Sequence, residues 1–179
     1  MEIHPNGYWL RLDGHYKDNP LALALATFFG FGTSVLDVGC GSGNYVRVLD
    51  NCGVECKGVD GNPHTPTLNG LVTIADVTQP LGLGQFDWVL SLEVGEHIPQ
   101  HLCDAFLENL HSHCTKGIVL SWAIPGQGGH GHVNERSNEW VRKKIGAMGY
   151  TSDLVSEKIL RKESTAPWFK DTIMVFRKG

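Results

Sequence analysis

Glu93, Glu96 and His97 fall within five residues in "SLEVGEHIP", directly after the apolar run "FDWVL". If the chain turns helically there, residues at i, i+3 and i+4 share a face and the three side chains converge. Two carboxylates about 5 Å apart repel by about 3 kcal/mol at an effective dielectric near 20, so in a cleft they call for a cation. In open water the repulsion falls below about 1 kcal/mol and no partner is needed. A second concentration of chemistry lies upstream, where "LDVGCGSGN" sets Asp37, Gly39, Gly41 and Gly43 between a strand-like and a helix-like run. Glycine there lets the backbone turn and approach a ligand closely. A dinucleotide fingerprint needs GxGxxG, but the third glycine comes one residue early, and no Lys-Ser or Lys-Thr pair follows as in a phosphate loop. Asp60 closes "CKGVD", where a carboxylate can accept from both hydroxyls of a ribose or, alternatively, cap the turn "GNP".

These residues need a scaffold, and the pattern around them supplies one. A helix is predicted over 19–29, then a strand in "TSVLDVG" and a helix in "NYVRVLDNCG" with Gly53 as its stop. "VECKGVD", "LVTIAD", "FDWVLSL" and "GIVLSWA" read as further strands, with a helix near 100–111 before the last. Ser137 is the expected N-cap of a helix carrying Trp140, Val141, Ile145 and Met148 on one face and ending at Gly149. "YTSDLVSEKIL" and "WFKDTIMVFRK" read as two strands that pair antiparallel. Alternating β and α segments predict an α/β fold, a mostly parallel seven-stranded sheet with helices on both faces and an antiparallel C-terminal strand. Ligands on such sheets sit at the carboxyl ends of the strands.

Length, with 41% hydrophobic residues, suits one core. The expected organisation is one domain over 1–179, with a cap segment and helix at 1–30 and the core at 31–179. A net charge of −4 and no basic stripe argue against nucleic acid as a partner. Five cysteines without a CxxC pair fit a reducing, cytoplasmic setting. The longest apolar run, at 21–32, is too short to span a bilayer, so neither a signal peptide nor a membrane partner is expected. His4, His15, His64, His101, His111 and His113 are expected at the surface, and Trp88 in the core. Tyr8, Trp9, His15 and Tyr16 could close over a pocket or simply anchor the leading segment. The loop 123–134, with four glycines, is expected to act as a lid.

"VLDVGCGSG" resembles the first motif of the class I S-adenosylmethionine-dependent methyltransferases, and the order of segments over residues 20–178 is similar to theirs. The resemblance implies a Rossmann-like fold and S-adenosylmethionine (SAM) as cofactor. It implies Asp37, Gly39, Gly41 and Gly43 around the cofactor and Asp60 with Gly61 at the ribose. It further implies Asp76 and Val77 at the adenine, and Ser91 and Leu92 at the methionine portion. ExxEH after the fourth strand resembles ubiquinone-pathway O-methyltransferases and small-RNA 2′-O-methyltransferases, in which these acids and histidines bind a divalent metal. That implies a candidate ligand set of Glu93, Glu96, His97 and His132, the last drawn from "GGHGHVNER" together with His130. Similar methyltransferases carry such histidines without a metal, and His97 and His132 are then the catalytic candidates that orient or deprotonate the acceptor. The leading expectation is methyl transfer to the hydroxyl of a small molecule. The alternatives are an RNA or protein methyltransferase with a divalent metal, and a non-catalytic cofactor-binding partner subunit.

Overall fold

The computed structural model describes residues 2–12 and 14–179; Met1 and Asp13, both in the expected cap segment, lie outside the described residues. Seven strands form one sheet: β1 (Ser34–Val38), β2 (Glu55–Asp60), β3 (Val72–Ile74), β4 (Phe86–Ser91), β5 (Cys114–Leu120), β6 (Tyr150–Ser152) and β7 (Met174–Lys178). Their order is β3-β2-β1-β4-β5-β7-β6. The first five run parallel, and β7 pairs antiparallel with both β5 and β6. The chain leaves β1 for β2 on one side and later returns to β4 on the other, which opens a crevice above the carboxyl ends of β1 and β4.

Period-2 alternation divides the core. Leu36, Val89 and Ile118 pack on one face of the sheet, while their neighbours Val35, Leu90 and Val119 pack on the other. The first face is covered by α3 (Cys103–Ser112) and α4 (Asn138–Ala147) through Phe106, Leu110, Val141 and Ile145. The second is covered by α1 (Asn19–Phe29), α2 (Asn44–Asn51) and α5 (Leu154–Glu163) through Leu25, Val46, Leu49 and Leu160. A single turn, α6 (Phe169–Thr172), leads into β7. Ser137 caps α4 as expected, its side chain accepting from the Trp140 amide at 3.2 Å.

Three expectations need correction. Residues 150–160 are not one strand: β6 stops at Ser152, and α5 begins because Asp153 caps it, accepting from the Ser156 amide at 3.0 Å and its hydroxyl at 2.8 Å. The second expected strand, 168–178, likewise begins only at Met174, because Phe169–Thr172 form α6, and the antiparallel pairing survives in the short β6–β7 ladder. "EVGEH" is not a helical turn, because Glu93 sits at φ 53°; the reversal is made by His97 and Ile98 amides donating to the Val94 and Gly95 carbonyls. His113 is buried, with its ring nitrogens 2.7 and 2.6 Å from the Asn109 and Leu81 carbonyls, and His15 faces a cavity. Trp88 is core, 5% exposed.

The amino-terminal segment is tied to the core through Asp18, whose carboxylate is wholly buried. It accepts from the Leu21 amide, which caps α1, and from the Ser164 hydroxyl and the Thr165 and Ala166 amides at 2.6 to 3.0 Å. Burial works against ionisation here, yet these donors hold the carboxyl below its usual range. Asp18→Ala strands several buried donors and is expected to cost about 3 kcal/mol of stability. Urea unfolding checks it, and an unchanged midpoint would remove Asp18 as the anchor.

Candidate active site

The carboxyl ends of β1 and β4 open into a cavity of about 430 Å³. Its floor is set by two aspartates. Asp37 is 2% exposed, and its Oδ2 has no partner. Burial, reinforced by the charge of Asp60, pushes the Asp37 carboxyl up to about 8. Asp60 accepts from the Gly41 and Asn62 amides, each at 2.8 Å, so it clamps the glycine turn to the end of β2. Burial raises its carboxyl as well. Gly41 stands at φ 53°, and a Cβ there would come within 2.5 Å of the His15 ring. Glycine is therefore required both for the turn and for the close approach of the cap.

Of the expected cofactor residues, Asp37, Gly39, Gly41, Asp60, Gly61, Val77 and Leu92 line this cavity. Gly43, Asp76 and Ser91 are placed outside its lining. A Cβ on Gly43 would meet the Leu68 side chain. Asp76 accepts from the Thr78 amide and hydroxyl and from the Asn6 amide nitrogen at 2.6 Å, which ties the amino-terminal segment to the end of β3. The Ser91 hydroxyl donates to the Val38 carbonyl at 2.8 Å and so links β4 to β1.

The turn after β4 lines the same cavity and packs Val94 against Gly39. Glu96 is 0% exposed, and neither carboxylate oxygen has a hydrogen-bond partner. Burial, then the charge of Glu93, raises its carboxyl well above the usual range. The Glu96 carbonyl accepts from the Val133 and Asn134 amides, both at 2.9 Å, and this pins the loop after β5 above it. His132 is thereby carried to the cavity, with Nε2 4.0 Å from Glu96 Oε1. Its Nδ1 meets the Glu135 carboxylate at 3.0 Å, and that carboxylate also accepts from the Gly126 and Gly128 amides. His97 turns Nδ1 to the Gly131 carbonyl at 3.2 Å. Burial and the nearby His132 lower His97 to about 4, so the ring is neutral at pH 7, donates through Nδ1 and keeps a lone pair on Nε2.

One ligand atom each from Glu96, His97 and His132 lie within 4.8 Å of one another. Glu93 is not in that group. Its carboxylate accepts from Ser121 and Gln127 at 2.8 Å, and burial raises it. With a left-handed backbone at Glu93, its side chain meets Ser121, just after β5, and Gln127 in the loop that follows. Nothing in the sequence marks Ser121, Gln127 and Glu135 beyond their nearness to the strand end and to "HGHVNE".

The amino-terminal segment lines the cavity as well. Residues 2–10 form a hairpin whose turn presses Gly7 against the His97 backbone, and Tyr8 lies over Gly61. Trp9 meets His15, His97 and His130 with ring centroids 5.1, 5.5 and 6.1 Å away. Trp9 Nε1 and the Tyr45 hydroxyl are further buried polar atoms on this lining without a partner. Tyr8, Trp9, His15 and Tyr16 all line the cavity, and Tyr16 also anchors the segment, its hydroxyl 3.2 Å from that of Thr165.

Residues 8–143 match the methyltransferase domain family, and the chain belongs to it. It is 33% identical to 2-methyl-6-phytyl-1,4-hydroquinone methyltransferase of Synechocystis sp., over 48% of this chain and 36% of that one. It is 34% identical to a probable chloroplastic tocopherol O-methyltransferase of Oryza sativa subsp. japonica, over 50% and 29%. The chain thus spans about a third of the length of these curated relatives. The fold is similar to magnesium protoporphyrin IX methyltransferase from Synechocystis PCC 6803 solved with SAM, at a TM-score of 0.67 and 21% identity over 90% of this chain and 77% of that one. The sheet and its covering helices are the Rossmann-like methyltransferase fold.

Proposed function

We propose that this chain is a SAM-dependent methyltransferase that modifies a hydroxyl of a small molecule. The observation that carries the reading is one cavity lined by two chemically distinct groups: a glycine turn with the orphaned carboxylate of Asp37, and the cluster of Glu96, His97 and His132. A buried carboxylate oxygen without a partner suits a cationic ligand, and SAM is one. When bound, SAM supplies an electrophilic methyl group on a sulfonium. Asp37, Gly39, Gly41, Asp60, Gly61, Val77 and Leu92 would hold it, with Gly43, Asp76 and Ser91 supporting the surrounding backbone. The cap and the lid loop exclude water, and His97 and His132 align the acceptor and take its proton. The relatives' names, a hydroquinone and a tocopherol methyltransferase, support a hydroxylated small acceptor.

The same reading includes a divalent metal. Glu96 offers two unpartnered oxygens, and the Nδ1 contacts of His97 and His132 leave each Nε2 for a ligand, an orientation that outer carbonyl and carboxylate partners commonly set. Mixed oxygen and nitrogen donors suit Mn, Fe, Co, Ni or Zn. Such an ion would lower the pKa of an acceptor hydroxyl. Glu93, beside the group, would complete it only through a side-chain rotation. Five free cysteines support the cytoplasmic setting, and the division into a cap at 1–30 and a core at 31–179 belongs to the same proposal.

The test is transfer of labelled methyl from SAM to a panel of phenols, hydroquinones and sugars. Transfer to a hydroxyl is the expected result; tight SAM binding without transfer to any acceptor would favour a non-catalytic partner subunit. Asp60→Ala is expected to weaken SAM by about 1.5–3 kcal/mol, through lost acceptor bonds and a loosened Gly41 turn. Calorimetry giving unchanged affinity in the folded variant would move the cofactor elsewhere.

A further inference from the structure

The outer face of α5 departs from the rest of the surface. Leu154, Val155 and Ile159 are 63%, 73% and 56% exposed. At about 100° per residue they share an arc of roughly 140° with the exposed Lys158 and Lys162, while Glu157 and Leu160 are buried on the other side. Single exposed aliphatics are ordinary, but three on one helical face form a patch that water alone does not favour.

The charge on this face also runs against the chain as a whole. Lys158, Lys162 and Lys170 line a shallow groove with Arg142 and Arg161. The two arginines are taken up by buried Glu157, at 2.7 and 3.9 Å, whereas the three lysines form no ion pair among the described residues. Glu163 is the exposed acid at the end of the helix, and Asp171 follows Lys170. A protein of net charge −4 therefore gathers free lysines around exposed aliphatic side chains. This groove adjoins the cavity at the start of α6, where Phe169 and the preceding Trp168 line the cavity and Lys170 lines the groove. Tyr16, 51% exposed, stands edge-on to Trp168 at 5.2 Å.

We propose that the outer face of α5, with Lys170, docks on an anionic lipid bilayer. The aliphatic side chains enter the headgroup boundary, and the lysines meet lipid phosphates. Charge selects an acidic surface. The apolar residues select a bilayer over nucleic acid, because they are aliphatic and offer no aromatic platform for bases. Among the described residues no helix is long and apolar enough to cross a membrane, so the contact is peripheral. The expectation of no membrane partner rested on that same lack of a spanning segment, which says nothing of surface docking. The proposal stands apart from the reading of the cavity.

The test is sedimentation of the full chain with vesicles of phosphatidylcholine, alone or mixed with phosphatidylglycerol. Binding to the mixed vesicles that weakens as salt rises is expected, with little binding to the neutral ones. Lys158→Glu with Lys162→Glu is expected to reduce binding by at least about tenfold, since each basic residue contributes separately. Val155→Ser with Ile159→Ser is expected to produce a comparable loss. All four positions are exposed, so thermal melts should stay unchanged and report folding. No binding to the mixed vesicles overturns the proposal. So does a loss confined to the lysine variant, or tighter binding to single-stranded RNA than to the vesicles.

Discussion

Glu96→Gln is expected to lower methyl transfer by about 10²- to 10⁴-fold while making the metal-free protein more stable. The two effects share a cause. Glu96 holds two carboxylate oxygens in a fully buried site without a single hydrogen bond to them, which costs free energy in the folded state. The amide has the same shape without the charge, so the melting temperature should rise. A residue kept at a cost to stability, beside two histidines already oriented by Gly131 and Glu135, is what the proposed ligand role of Glu96 would require. His132→Ala is expected to match the loss of turnover. Glu135→Gln, which weakens the hold on Nδ1 of His132, should fall between, at about 10- to 100-fold.

Chelation separates the two ways the cluster can work. With a bound metal, stripping abolishes transfer, leaves SAM affinity nearly intact, and is reversed by adding back Mn or Zn. Without one, full activity in chelator with loss in both His variants leaves the imidazoles acting on the acceptor directly. An active Glu96→Gln variant of unchanged stability would sink the metal version, and an active His132→Ala variant the direct one.

The glycine turn and the succession of strands and helices up to β5 were legible because each rests on local pattern: β-branched runs, turn residues and a helix stop. α5 was missed because its outward residues are apolar. Leu154, Val155 and Ile159 erase the polar face that a surface helix normally shows, and the Asp153 cap was the one remaining signal. The site was half legible. Spacing alone brought Glu96 and His97 together, and "HGHV" suggested His132. The placement of Glu93 turned on one left-handed backbone residue, which spacing does not encode. Glu135, Ser121 and Gln127 act through contacts across 28 or more positions or within an irregular loop, where neither period nor propensity carries information.

Asp37→Asn is expected to weaken SAM by about 10- to 100-fold and to remove most of the pH dependence of its binding. Burial pushes the Asp37 carboxyl up to about 8, so below that it holds a proton that the unfolded chain, with an ordinary carboxylate, has already released by about pH 5. The sign for stability follows. A raised folded-state pKa contributes stability at low pH, and this is lost as pH rises from about 4 through 8. The sign for binding is opposite, because a cationic ligand favours the carboxylate and expels the proton. SAM affinity should therefore climb by up to about tenfold per pH unit between 6 and 8 and level off above. In the Asn variant no proton is exchanged, so the empty protein should gain stability at pH 8 and the binding curve should lie flat and low. Calorimetry in two buffers of different ionisation enthalpy reads the proton directly. Wild-type affinity that is constant from pH 6 to 8, with no buffer dependence, would show that Asp37 does not face the cofactor's charge.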